Sequence, residues 1–121
     1  MKYVRCYADE TGESHIEDVN VDLTPMNFAP PAPPLALSKF VSATQLCFLS
    51  APPGWYGDWH PSPKRQFLIF LSGESELQVS DGEMRRFARG SVVLLEDTRG
   101  KGHVSRVVSE GPALHAVVQL D

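Results

Sequence analysis

Cysteine is scarce in this chain: Cys6 and Cys47 are the only two among 121 residues. Two thiols so far apart exclude a disulfide framework and a zinc knuckle, and free thiols in a reducing cytoplasm are expected. Cys47, within residues 44–49, is expected as a small buried hydrophobe. Long apolar runs are also missing. None approaches the roughly 20 residues that span a bilayer. Residues 1–6 lack the apolar stretch of about 7–15 residues that marks a signal peptide. A cytoplasmic location with no membrane partner is therefore expected. Excess positive charge is absent too, since 11 Lys and Arg face 15 Asp and Glu for a net charge of −4. The short basic spots at Lys64-Arg65, Arg85-Arg86-Arg89, Arg99 and Lys101 are interspersed with acids, which fits a solvated surface and no nucleic-acid partner. No Gly-x-Ser-x-Gly supports a serine hydrolase. Arg99-Gly100-Lys101-Gly102 has no Ser or Thr after its Gly-Lys pair, so it is not a phosphate loop.

Helical periodicity is missing as well; nothing beyond about ten residues carries it, and one turn near residues 35–41 is the most expected. What is present is β patterning. A chain of 121 residues is long enough for one core and one domain. Its 42% hydrophobic and 21% charged content are those of an ordinary globular protein. Residues 1–43 read as an N-terminal arm: a short strand at 3–7, a polar turn at 9–14, and a half-buried strand at 16–23 with its apolar phase on odd numbers after Ile16. Prolines crowd residues 25–34, which should be extended and outside any central strand. Such an arm is expected to pack on the body of the domain or on a partner subunit. From residue 44 to 121 the pattern is β throughout, with strands expected at 44–50, 66–71, 74–79, 85–88, 92–96, 103–108 and 114–120. Many short strands separated by glycine turns mean a sandwich or barrel.

Two histidines, His60 and His103, each stand beside a glycine-punctuated run of this kind. His60, Ser62 and Gln66 have one parity, so an extended path turns all three to one side, continued by Leu68 and Phe70. After Gly90 both phases of residues 92–95 are apolar, as in a strand buried on both faces up to a polar rim at Glu96-Asp97. His103 opens the next strand after the bend at 98–102. Imidazole and polar groups at strand ends suit a site in the mouth of a barrel. Trp55, Tyr56 and Trp59 form an aromatic loop leading to that mouth, either rimming the pocket or packing the barrel end. His15 is expected at the surface, with a ligand role from the arm as the alternative. His115, in phase with Val117 and Gln119, is expected to be a hydrogen-bonded strand histidine.

These residues resemble the cupin superfamily in its small single-domain form, over roughly residues 44–120. The family's first motif runs from a glycine through His-x-His and Glu to a second glycine. Here His60 takes the first histidine position, Ser62 stands where the second would be, Gln66 stands where Glu would be, and Gly73 closes the motif. The second motif begins at Gly90 and ends at His103, with Glu96-Asp97-Thr98 in place of Pro-x-Gly and a longer gap. The fold implied is an all-β antiparallel barrel, a double-stranded β-helix or jelly roll, with the extended N-terminal arm outside it.

The resemblance also implies a divalent transition metal (Fe, Mn, Ni or Zn) held by His60 and His103 with Gln66, or Asp97, in support. Asp97 or Glu96 is the candidate general base, because a carboxylate at an apolar rim can have a raised pKa. Trp59, Ser62, Leu68, Phe70 and Val93 are the expected pocket residues. The expected function is a cupin-type enzyme acting on a small molecule by dioxygenation, isomerisation or lyase chemistry. The alternative is a non-catalytic, metal-free pocket in which the two imidazoles are simply hydrogen-bonded around a small ligand. A homodimer is implied in either case.

Overall fold

The computed structural model describes residues 1–121. It consists of strands joined by turns: β1 (Lys2–Ala8), β2 (Ser14–Asn20), β3 (Thr24–Met26), β4 (Leu35–Leu37), β5 (Gln45–Ala51), β6 (Tyr56–His60), β7 (Gln66–Ser72), β8 (Ser75–Val79), β9 (Met84–Phe87), β10 (Val92–Leu95), β11 (His103–Val107) and β12 (Ala113–Gln119). The larger sheet runs β2-β1-β10-β7-β12-β5, and the facing sheet runs β6-β11-β8-β9. The architecture is a two-sheeted jelly roll, closed by packing between the sheets.

Alternation dictates the facing surfaces. In β8, Ser75, Leu77 and Val79 are buried while Glu76 and Gln78 are not, the period of two that a half-buried strand requires. β10 lies inside the larger sheet between β1 and β7. Its Val93, Leu94 and Leu95 are consequently all buried. Cys6, Ile16, Phe70, Leu77, Val79, Phe87, Val93 and Leu95 form the main core cluster. Within it the Phe70 and Phe87 rings sit 5.8 Å apart. The site adjoins this cluster, with Leu95 lining both.

The N-terminal strands pair inside the larger sheet. β1 runs parallel to β10, with Cys6 beside Leu95, and β2 pairs antiparallel with β1. Only β3 and β4 stand apart, as a two-stranded ribbon flanking the prolines. The helical turn expected near residues 35–41 is absent, because β4 pairs with β3 there. The half-buried odd-numbered phase expected after Ile16 is present, since Val19 and Val21 are part-buried while Asp18 and Asn20 are exposed, but it is on the outer side of the sheet. Ser14 and Ile16 face the core, while Val19 and Val21 line a groove on the outer side with Tyr3 and Phe67. Cys47 is exposed rather than buried, since β5 is the edge of its sheet and lacks a covering layer.

Two contacts seal the sheets near the bend before β11. Ser14 Oγ donates to the Gly102 carbonyl at 2.6 Å and accepts from the Ser80 amide at 2.7 Å. Beside it, His15 bridges two turns, with Nε2 2.7 Å from Asp9 and Nδ1 2.8 Å from Asp81. Both ring nitrogens can donate only in the imidazolium. The hydrogen bond to Asp9, then that to Asp81, raises the His15 pKa above its usual value. The same bond to His15 leads the causes that lower Asp9.

A raised histidine pKa stabilises the fold fully below the unfolded value of about 6.5, and that stabilisation disappears as pH rises through the folded value. His15→Ala should therefore lower the urea midpoint at pH 6 and leave it unchanged at pH 9.5. Equal losses at both pH values would mean that the bridge contributes through packing alone.

Candidate functional site

The two histidines meet by strand register. β6 and β11 are antiparallel neighbours with His103 opposite His60, and the ring centroids are 4.6 Å apart at 58°. The approach depends on Gly102, which adopts φ +72°, a region that L side chains avoid. A Cβ there would lie 2.2 Å from the His60 carbonyl carbon and oxygen. Only glycine lets the bend rest directly on the end of β6. The expectation that these imidazoles face one another holds.

Hydrogen bonds orient both rings. His60 Nδ1 lies 2.5 Å from the Asp58 carbonyl oxygen. A carbonyl only accepts, so this nitrogen carries the proton and Nε2 is bare in the neutral ring. His103 Nδ1 lies 2.5 Å from Asp97 Oδ2, which directs its Nε2 away from the carboxyl group. Asp97 is fully buried, and its Oδ1 has no hydrogen-bond partner in the protein. The Ser62 amide donates to the Asp97 carbonyl at 3.0 Å, tying the loop after His60 to the segment before His103.

Cys6 joins this pair from behind. Its Sγ, an Asp97 oxygen and a His103 nitrogen all lie within 4.8 Å of one another. Burial, with the Asp97 carboxyl group adding to it, pushes the thiol pKa far up. Its arrival was not foreseen. The parallel pairing of β1 with β10 brings it there, and no local pattern around Cys6 announces it.

In front of the rings lies a cavity of about 320 Å³. His60, His103, Gln66, Ser62 and Leu68 all line it, as the parity of residues 60–68 implies. Gln66 Oε1 also accepts a hydrogen bond from Gln119 at 3.3 Å, and Ser62 Oγ donates to the Lys64 carbonyl at 2.7 Å. Phe70 and Val93 do not line the cavity. They have the expected face but lie deeper, inside the packed core. Trp59 is half exposed, because the parity that turns His60 inward turns its neighbour outward. Trp55 takes the rim position instead. It covers Gly57, where a Cβ would come within 2.6 Å of the indole and 3.0 Å of His60 Cε1.

Neither carboxylate reaches the cavity. Glu96 is tied to Arg5 and, at 2.6 Å, to Arg65. Partial burial pushes its pKa up, but the hydrogen bonds from Arg65 and Arg5 outweigh this and hold it below the usual range. Such a group is a weak base, so the expectation that Glu96 abstracts protons is corrected. Asp97, fully enclosed and behind His103, touches the pocket only through that ring.

His115 is the residue that sequence reasoning misjudged. It is 6% exposed and lines the cavity, yet neither ring nitrogen has a protein hydrogen-bond partner. Burial lowers its pKa, so the ring is neutral at pH 7. Leaving a buried polar group unpaired costs about 1–3 kcal/mol. Its phase with Val117 correctly indicated an inward direction, but not that the space beyond would be empty of partners.

The sequence matches no family model and no curated protein. Solved structures do resemble the fold. The cupin domain of Cnp3 from Schizosaccharomyces pombe aligns over 99% of this chain and 88% of its own, with 14% identity and a TM-score of 0.51. A conserved protein of unknown function from Streptococcus pyogenes, SPY1581, aligns at 21% identity and TM-score 0.46, over 63% of this chain and 62% of its own. Protein NMB1881 from Neisseria meningitidis aligns at 17% identity and TM-score 0.45, over 63% of this chain and 72% of its own. At these identities the likeness is one of fold.

Because Gly102 combines a left-handed backbone with direct contact, Gly102→Ala should destabilise the protein by about 3 kcal/mol or more. Urea unfolding monitored by tryptophan fluorescence measures this. A loss under about 1 kcal/mol would mean that the bend can move off β6 freely.

Proposed function

We propose that this chain, whose fold is of the cupin type, binds a divalent transition metal between His60 and His103 and uses it on a small organic molecule held in the adjoining cavity. The supporting observation is the paired orientation of the two rings. Each spends Nδ1 on an oxygen acceptor, the Asp58 carbonyl or the Asp97 carboxyl group, and each is left with Nε2 as its ligating atom. Metal-binding histidines are typically anchored in this way, by an outer carbonyl or carboxylate that fixes the tautomer. The donor set fits Fe, Mn, Ni or Zn, which accept imidazole nitrogen, with the Gln66 amide oxygen as a neutral supporting ligand.

Such an ion supplies Lewis acidity toward a ligand oxygen. The chain's own residues orient the site: Asp97 and Asp58 fix the rings, while Trp55 and Leu68 exclude water from one wall. The reaction classes compatible with this are dioxygenation, isomerisation and lyase chemistry. The alternative function is binding without turnover. It is favoured by one specific feature, the absence of any Asp or Glu from the cavity wall, which leaves proton transfer to imidazole alone.

Elemental analysis and Zn2+ titration of protein purified without chelator test the site. His60→Ala and His103→Ala should each weaken metal binding by about a hundredfold or more, and Cys6→Ser should leave it unchanged. Retention in His60→Ala with loss in Cys6→Ser would assign the ion to the buried Cys6, Asp97 and His103 cluster instead.

We also propose a homodimer built on β5. This edge strand carries exposed Leu46 and Phe48 together with unpaired ladder groups, a combination that pairing with a second copy would remove. Sedimentation should give a dimer for the wild type and a monomer for Phe48→Glu. A monomeric wild type would exclude the arrangement.

A further inference from the structure

We infer that Gln66 makes this cavity selective for small oxygen anions, such as a carboxylate on an apolar body, by offering a neutral amide to an ion held at His60 and His103. This deepens the reading above and rests on it, because the selectivity has no source without an ion between the two histidines.

Charge is the deciding quantity. Imidazoles that ligate through a bare nitrogen are neutral, and so is the Gln66 amide, so the three bring no negative charge to a divalent cation. The rest of the wall brings none either, since no Asp, Glu, Lys or Arg lines the cavity. His115 on the same wall is held neutral by burial.

The three acids nearest in the fold are engaged elsewhere. Asp97, even when ionised, offsets one of the two charges, and its carboxyl group lies behind the His103 ring. Asp58 receives the Trp59 amide on its carboxyl group at 2.8 Å, on the exposed side. Glu96 is tied to Arg5 and Arg65. At least one positive charge is therefore left uncompensated beside the apolar surfaces of Trp55, Leu49, Leu68 and Leu95. Uncompensated charge costs far more in such surroundings than in water. The group that cancels it has to enter with the ligand.

Gln66 is the residue that decides this. It opens β7, pairs across the sheet with Leu95 and Gln119, and is buried at the cavity wall. Its Oε1 accepts from Gln119 Nε2 at 3.3 Å. A glutamate has the same length, and its carboxylate would accept the same bond. Gln66→Glu thus changes the charge of the wall while keeping its shape. A cavity of about 320 Å³ admits a ring-sized apolar body, and the Ser75 and Ser105 hydroxyls on its wall can donate to an anion's second oxygen.

The test uses benzoate, benzamide and benzylammonium, three probes of similar size and different charge. Each is titrated calorimetrically into the wild type, Gln66→Glu and Gln66→Met, with one equivalent of Zn2+ and without it. Zn2+-loaded wild type should bind benzoate at least about tenfold more tightly than either other probe, and the preference should vanish without Zn2+. Gln66→Glu should hold Zn2+ at least as tightly as the wild type yet weaken benzoate by about tenfold or more. Simple damage to the fold would not move the two affinities in opposite directions. Gln66→Met is neutral and should keep the preference for benzoate; it and the wild-type comparison stand if the glutamate variant does not fold.

Zn2+-loaded wild type that binds benzoate no better than benzamide, or not at all, would overturn the inference and leave the ion in place. Undiminished benzoate binding in Gln66→Glu, or a benzoate preference lost in Gln66→Met, would do the same. A benzoate preference that persists without Zn2+ would place the charge in the protein and also overturn it. A wild type that never takes up Zn2+ would remove the metal reading itself, and the inference with it.

Discussion

The hydrogen bond between Asp97 and His103 is the contact on which the candidate site depends. Both partners are almost completely enclosed, so removing either would strand the other where no water can replace it. Three parts of the fold converge on this bond. Asp97 follows the end of β10, His103 begins β11, and Cys6 closes the rear from β1. Its direction also decides which nitrogen of His103 faces the cavity. One buried contact therefore sets strand geometry and chemical presentation together.

The same contact bears on the cupin motif that the sequence resembles. Gln66 stands where that motif has a glutamate, and the cavity wall has no carboxylate. Asp97 holds its carboxyl group behind a histidine. Negative charge here lies in the support of the ring rather than on the wall. Glu96, next in sequence, points the other way and joins Arg5 and Arg65, so adjacent acidic residues serve a surface tie and a buried tie.

Much of the fold was legible because β patterning is local. From Gln45 onward, alternation and glycine turns mark each strand except β6, whose Tyr-Gly-Asp-Trp-His composition resembles a loop. The meeting of His60 with His103 was legible through parity and motif spacing. What stayed hidden depends on distance in the chain. The entry of β1 beside β10 recruits Cys6, and no property of residues 1–8 specifies a partner so remote. Depth was equally hidden: parity gives the face of Phe70, Val93 and Leu68, but only packing decides that the first two are core and the third is wall. His115 combines both difficulties, since a strand position cannot reveal what lies across an interior.

The parallel pairing of β1 with β10 has a consequence for how the molecule assembles. Arg5 and Glu96 meet across 91 positions, so the entropy of closing a very long loop must be overcome before the first strand docks. The β8–β9 hairpin and the β7–β10 pair that brackets it in sequence close much shorter loops, whereas the wall behind Asp97 needs the opposite end of the polypeptide. Enclosure of the Asp97–His103 pair is thereby coupled to a closure that spans most of the chain.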